Sequence, residues 1–238
     1  MNIYLDIETI PGQAKGLKER IAETVTPPGS MKKAETIAKW EAEQKPAAVE
    51  EAWRKTSFNG DQGEIVCIAW AIDGEPVQCV SRVMAVEQGE QLVLIDFFAS
   101  IQQEIERQNG RLPVWIGHNV RDFDLRFIFQ RAVIHDVCPP FRIPHDARPG
   151  SDRIFDTMDA WAGFRNRISL DRLCRALGIP LKGSELDGEE IDGSKVWDFV
   201  KAGRIQDVVC YCKADVERVR QVHSRLTFVR EEQAAMAI

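Results

Sequence analysis

The feature that most constrains this chain is its first stretch. Ile3, Leu5 and Ile7 alternate with Tyr4, Asp6 and Glu8. A period of two is the signature of a strand, with successive side chains on opposite faces. The two carboxylates therefore share one face, roughly 7 Å apart along the strand. Like charges so placed repel and raise each other's pKa unless something positive stands between them. A surface strand can solvate such a pair. A strand that is apolar on its other face and ends in Thr9-Ile10-Pro11-Gly12 reads instead as a core strand delivering acids to its tip.

The rest of the composition sets bounds. A length of 238 residues suits one large domain, or one domain with an insertion. We expect a domain over 1–230, with 231–238 as a frayed tail. No run is long and apolar enough to cross a membrane. The strand begins next to Met1 with no leader before it, so a cytoplasmic protein is expected. The six cysteines stand among apolar residues, which reads as reduced thiols rather than a disulfide frame. Cys210-Tyr211-Cys212 has no second Cys/His pair at zinc-site spacing. A net charge of −6 argues against coating nucleic acid by bulk electrostatics. It leaves open an enzyme that holds nucleic acid at one acidic, metal-loaded site.

Along the chain, residues 13–56 are rich in Lys, Glu and Ala and carry a thin apolar stripe (Leu17, Ile21, Val25, Ile37, Trp40, Val49, Trp53). They predict a helical insertion after the first strand. Residues 64–72 form a near-continuous apolar run, a central strand. Asp73-Gly74 turns it into a hairpin partner at 76–80. Residues 87–108 read as a helix with Leu92, Ile95, Phe98, Ile101 and Ile105 on its apolar side, stopped by Asn109-Gly110. A short strand at 113–116 leads through Asn119-Val-Arg-Asp-Phe-Asp124 into a helix, with Asp122 as its expected cap. Pro139, Pro140, Pro144 and Pro149 make 135–153 an irregular connection. A strand end at 155–158 is followed by a helical piece, then by a helix capped by Ser169 and ended at Gly178. Residues 182–193 form an acidic loop without EF-hand spacing, and Ser194 is expected to cap a short helix. The last helix covers about 205–228. Tyr211 and Asp215, four apart, share a face beside its apolar stripe. An Asp beside a core stripe is costly unless it is paired or metal-bound.

Four acids thus sit in apolar settings: Asp6, Glu8, Asp124 and Asp215. Asp6-Ile-Glu-Thr9 resembles the first motif of the DEDD exonucleases. Asn119-Val-Arg-Asp-Phe-Asp124 is similar to the second, in the form found in proofreading domains of family B DNA polymerases. Tyr211-Cys-Lys-Ala-Asp215 is similar to the third, in the Tyr form of the DEDDy branch. Residues 170–178, 193–196 and the final helix also resemble the stand-alone bacterial exonucleases of this type. The resemblance covers roughly 1–9 and 64–228. It implies an α/β, RNase H-like fold, a mixed β-sheet flanked by helices.

It further implies a metal-dependent 3′–5′ exonuclease that uses two Mg²⁺ or Mn²⁺ ions. Hard oxygen donors suit those ions, and paired ions serve in-line phosphodiester hydrolysis. By similarity, Asp6 bridges the metals, Glu8 and Asp215 help hold the one carrying the nucleophilic water, and Asp124 serves the other. Tyr211 orients the water. Thr9, Ile10, Asn119 and Phe123 contact the 3′-terminal nucleotide. The expected partner is nucleic acid with a free 3′ end, single-stranded DNA rather than RNA, with a polymerase or repair partner in trans and no membrane. An RNA-trimming exonuclease and a non-catalytic nucleic-acid-binding module stay open as alternatives. His118 reads as a supporting residue, since the histidine of the sister branch belongs in the third motif.

Overall fold

The computed structural model describes residues 1–82, 88–163, 165–180 and 193–229. The chain divides into two compact units, one joining Met1–Glu8 to the chain from Ile65 onward, the other Thr9–Glu64. The insertion expected at 13–56 is thus a compact body of its own and extends past both predicted ends. The tail at 231–238 and the acidic loop up to residue 192 lie outside the described residues.

The sheet has five strands, β1 (Asn2–Ile10), β2 (Glu64–Ile72), β3 (Gln78–Ser81), β4 (Val114–Gly117) and β5 (Ile154–Asp156), in the order β3-β2-β1-β4-β5. The acid-bearing strand is central. β4 runs parallel to β1 with Ile3 opposite Trp115, and β5 runs parallel to β4. β3 is antiparallel to β2. The N–H of Asn2 donates to Asp73 Oδ1 at 2.8 Å, and the Asn2 carbonyl accepts from the Asp73 N–H at 2.9 Å. The start of β1 therefore lies beside the end of β2, and the sheet is mixed, as the sequence implied. Asp73 turns the hairpin at φ 45°, a left-handed conformation that Asp tolerates better than most residues.

The odd residues of β1 face a core closed by α4 (Gly89–Arg107) and α5 (Asp124–Ile134). Ile3, Leu5 and Ile7 share it with Trp70, Trp115, Phe97, Ile101, Leu125 and Ile128. Phe97 contacts Trp70 and Trp115 at centroid distances of 5.3 and 6.3 Å. The stripe expected on α4 is partly wrong. Leu92 and Ile95 are exposed, and Val93, Leu94 and Phe97 are buried in their place. A helix with apolar residues at 92 through 95 fits two stripes equally, and the packed sheet selects one.

An ion cluster fastens α4 and α5 to the sheet. Glu90 is 2% exposed and accepts from the Ile65 N–H at 2.8 Å. Arg131 grips the same carboxylate through Nε at 2.8 Å and Nη2 at 2.7 Å, and His135 Nε2 stands 2.7 Å from it. Burial works to raise the Glu90 pKa, but His135, Arg131 and the Ile65 N–H outweigh it and hold the carboxyl below 4.5. Its contribution is present above the unfolded pKa and is lost as pH falls through the depressed folded value. Arg131→Met leaves Glu90 buried without its guanidinium and should cost about 3–5 kcal/mol. Urea unfolding at neutral pH measures this; a loss under roughly 1 kcal/mol would show the pair to be dispensable.

The Thr9–Glu64 unit contains α1 (Leu17–Thr24), α2 (Ala34–Glu43), α3 (Lys45–Arg54) and a 3-10 turn at Lys55–Phe58. Its core is as thin as the stripe implied: Leu17, Trp40, Val49 and Trp53 are its buried helical apolar residues. Polar anchors supplement them. Trp53 Nε1 donates to the Gly12 carbonyl at 2.9 Å, and Thr56 Oγ1 accepts from the Gly12 N–H at 2.9 Å. A Cβ at Gly12 would sit 2.2 Å from the Gln62 carbonyl, so only glycine fits.

Three short helices follow β5 or precede the last helix: α6 (Thr157–Ala162), α7 (Leu170–Leu177) and α8 (Val196–Lys201). Ser169 caps α7 and Gly178 ends it at φ 68°, as expected. The cap position of α8 falls on Lys195, which makes no side-chain capping bond, and not on Ser194, which lies in the preceding turn. The last helix, α9 (Ile205–Leu226), buries Val208, Cys212, Val219 and Val222.

Candidate active site

The even face of β1 looks toward α9. The Tyr4 hydroxyl lies 3.1 Å from His223 Nδ1, and Cys212 Sγ donates to the Asp6 carbonyl at 3.4 Å. Asp6 and Glu8 are the next even residues, so the same helix faces them. A carboxylate oxygen of each and Cys212 Sγ all lie within 4.8 Å of one another. Glu8 is 7% exposed, while Asp6 is half-buried.

Asp124 also reaches this strand. It is the first residue of α5 and is 3% exposed. Its Oδ1 accepts from the Ile7 N–H at 3.1 Å, between the two strand acids in sequence. Gly117 makes the approach close enough: a Cβ there would lie 2.5 Å from Val120 Cβ and 3.0 Å from the Leu5 carbonyl. The expected cap, Asp122, is exposed and pairs with Arg121 and Arg126. Phe123 takes the cap position without a side-chain bond. Asp122 is drawn to its neighbouring guanidinium instead.

Tyr211 and Asp215 are both buried on α9, at 6% and 4% exposure. Burial, then the charges of Glu8, Asp215 and Asp6, push the Tyr211 hydroxyl far above its usual value. It stays protonated across the physiological range and can only donate or accept a hydrogen bond. Burial, then the charge of Asp6, raise Asp124 well above the ordinary carboxylate range. All five residues expected in the chemistry therefore belong to one electrostatic neighbourhood, inside the first unit.

Asn119 adopts φ 65°, and its Oδ1 is buried with no hydrogen-bond donor. Phe123 is half-buried, its ring 5.6 Å from Phe127. Thr9 is buried and its hydroxyl donates to the Ser57 carbonyl at 2.7 Å, so its one side-chain proton is already used. Ile10 has no accessible surface; a wedge against a base at that position requires the side chain to move out. Thr9 and Ile10 belong to the second unit. His118 spends both ring nitrogens on structure, Nδ1 at 3.0 Å from Thr157 Oγ1 and Nε2 at 2.8 Å from the Ile168 carbonyl.

Three supporting residues escaped the sequence reading. Arg218 Nη1 donates to Asp215 Oδ1 at 2.8 Å, and its Nε donates to the Pro180 carbonyl at 3.3 Å. The i,i+3 spacing was the available signal. Asp156 Oδ1 accepts from the N–H groups of Asn119 and Met158, both at 3.0 Å, pinning the Asn119 loop to β5 and α6. Its position at a strand-to-helix junction was its signal. Cys212 had none beyond its place next to Tyr211.

Comparison with known proteins follows the same lines. A family model described as a predicted 3′–5′ exonuclease related to the exonuclease domain of PolB matches residues 61–235. No curated protein matches the chain. Among solved structures, the family B DNA polymerase of the hyperthermophilic archaeon Pyrobaculum calidifontis is similar at TM-score 0.52 and 14% identity. The match covers 71% of this chain and 22% of the polymerase, so it speaks to fold. With the sheet order, the helices and the family match in agreement, the chain belongs to the family of predicted 3′–5′ exonucleases related to the exonuclease domain of PolB.

Proposed function

We propose that this protein is a metal-dependent 3′–5′ exonuclease of the DEDDy type, acting on single-stranded DNA ends. The observation that carries the reading is the burial of the Asp124 carboxylate, 3% exposed, on the N–H of Ile7 between Asp6 and Glu8, where the charge of Asp6 opposes its own. Folding alone gains nothing from such an arrangement; a bound cation relieves it. The donor set fits: carboxylate oxygens from Asp6, Glu8, Asp124 and Asp215 suit Mg²⁺ or Mn²⁺. Asp6, Glu8 and Asp215 would hold one ion, and Asp6 and Asp124 the other. Two ions bound there would lower the pKa of a water and offset charge on the attacking and leaving oxygens.

The protein's own groups do the rest. Tyr211, kept protonated by its surroundings, orients the attacking water by hydrogen bond. Arg218 fixes the direction of the Asp215 carboxylate. Asn119, with a spare buried acceptor, and the half-buried Phe123 take the 3′-terminal nucleotide. The ring can stack on an unpaired base, worth about 1–3 kcal/mol. The six free thiols fit a reducing, cytoplasmic setting, and proofreading or repair would be done for a polymerase in trans.

The test is digestion of 5′-labelled single-stranded DNA, duplex DNA and RNA with Mg²⁺, Mn²⁺ or EDTA. The expected result is a ladder of shortening labelled products, fastest on single-stranded DNA and abolished by chelation. Phe123→Ala should slow the single-strand reaction by about tenfold or more, as loss of one stacking contact implies. Undiminished hydrolysis in EDTA would end the metal mechanism. Faster cleavage of RNA would move the protein to RNA trimming.

A further inference from the structure

Cys212 stands between Tyr211 and Asp215 on α9, fully buried. Its Sγ, an Asp6 oxygen and a Glu8 oxygen lie within 4.8 Å of one another. The centre of a triangle with sides that long is at most about 2.8 Å from each corner. Zinc takes sulfur at about 2.3 Å and carboxylate oxygen at about 2.0–2.2 Å, so a shift of well under 1 Å closes the set. Two further thiols continue from it. These are Cys67 on β2 and Cys79 on β3, the first an electrostatic neighbour of Cys212 and the second of Cys67. The register puts Cys67 opposite Ser81 and Ala69 opposite Cys79, so both thiols share one face of the hairpin.

A thiol is a poor ligand for Mg²⁺ and a strong one for soft or borderline ions. We propose that Asp6, Glu8 and Cys212 form a mixed oxygen–sulfur site for thiophilic divalent ions such as Zn²⁺, Cd²⁺ and Co²⁺, overlapping the site for Mg²⁺ or Mn²⁺. The inference rests on the reading above that Asp6 and Glu8 bind divalent cations. On binding, the Sγ–H bond is replaced by an Sγ–metal bond and the proton passes to solvent. A soft ion held this way occupies Asp6 and Glu8 and keeps the hard ion out. Zinc and cadmium are then inhibitors at concentrations where magnesium supports hydrolysis. Cys67, one step further from the carboxylates, stays a neighbour rather than a ligand.

The test is optical titration of the full chain with Co²⁺ alone, read in the thiolate-to-cobalt charge-transfer band. The wild type should develop the band at one equivalent. Cys212→Ser should lack it and bind Cd²⁺ roughly tenfold or more weakly by calorimetry. Cys67→Ser and Cys79→Ser should keep the band. No band in the wild type, or an undiminished band in Cys212→Ser, overturns the inference. If that variant does not fold, cadmium NMR of the wild type decides: a sulfur donor moves the resonance downfield of the all-oxygen position, and an all-oxygen signal overturns it. The two readings fail separately. Magnesium-dependent hydrolysis with no cobalt band sinks this site alone; a cobalt band without magnesium-dependent hydrolysis sinks the nuclease reading alone.

Discussion

Asp124→Asn should yield a protein that is more stable than wild type without metal and nearly inactive with it. Asn keeps an Oδ1 to accept from the Ile7 N–H, so the bond that docks α5 against β1 survives. It removes a charge that burial and Asp6 both oppose. A carboxyl raised in the folded state binds protons more readily there than in the unfolded chain. Metal-free stability therefore falls as pH rises from the ordinary carboxylate value of 3.8 through the raised one, and the full penalty stands above that window. The variant has no such slope at this position. Melting temperatures in EDTA across the acid range should show wild type losing ground to the variant as pH rises. Mg²⁺ or Mn²⁺ should stabilise wild type by linkage and the variant less. The rate should fall on the order of 10³-fold or more, as when a member of a cooperating catalytic set is lost. A variant less stable than wild type at neutral pH in EDTA would show that Asp124 is structural, held by contacts worth more than its charge costs.

The trade between stability and function at Asp124 explains which parts of the molecule were legible in the sequence. β1 was, because its period of two separates a core face (Ile3, Leu5, Ile7) from a chemical face (Tyr4, Asp6, Glu8). The ends of α7 are also legible, through local chemistry at Ser169 and Gly178. The failures occur where tertiary contacts outbid local preference. Asp122 prefers two guanidiniums to a cap. Leu92 and Ile95 lose the core to Val93 and Leu94 because the sheet fixes the rotation of α4. Arg218, Asp156 and Cys212 matter only through what they touch. Arg218 reaches Pro180, 38 residues away, and Asp156 reaches Asn119, 37 residues away. A short-range pattern carries only their local halves, Arg218 to Asp215 and Met158 to Asp156, and not these distant contacts. The four acids are legible because burying carboxylates is costly, and a chain that does it repeatedly in apolar settings needs a reason.

The two residues of the last motif should fail differently when changed, and the structure decides which changes to make. Asp215→Ala would leave the Arg218 guanidinium buried without its carboxylate and confound lost chemistry with lost stability. Asp215→Asn keeps an Oδ1 acceptor for Arg218 Nη1 and removes only the charge that a divalent ion needs. Its rate should fall on the order of 10³-fold or more, with partial recovery at raised Mn²⁺, while its melting temperature in EDTA stays near wild type. Tyr211→Phe keeps the ring in its buried place and deletes one hydroxyl. That hydroxyl cannot serve as a base, because burial and the charges of Glu8, Asp215 and Asp6 hold its proton on. Its loss therefore removes the positioning of the water and leaves metal affinity intact. Positioning and proton-transfer groups contribute about 10²–10⁴-fold, so kcat should drop within that range while KM and the Mg²⁺ dependence stay unchanged. The pH profile should also keep its shape, since no titrating group is removed. Near-wild-type turnover in Tyr211→Phe beside an inactive Asp215→Asn would assign Tyr211 to packing and leave the carboxylates as the whole of the site. A weakened Mg²⁺ dependence in Tyr211→Phe would instead mean that the hydroxyl holds a carboxylate rather than the water.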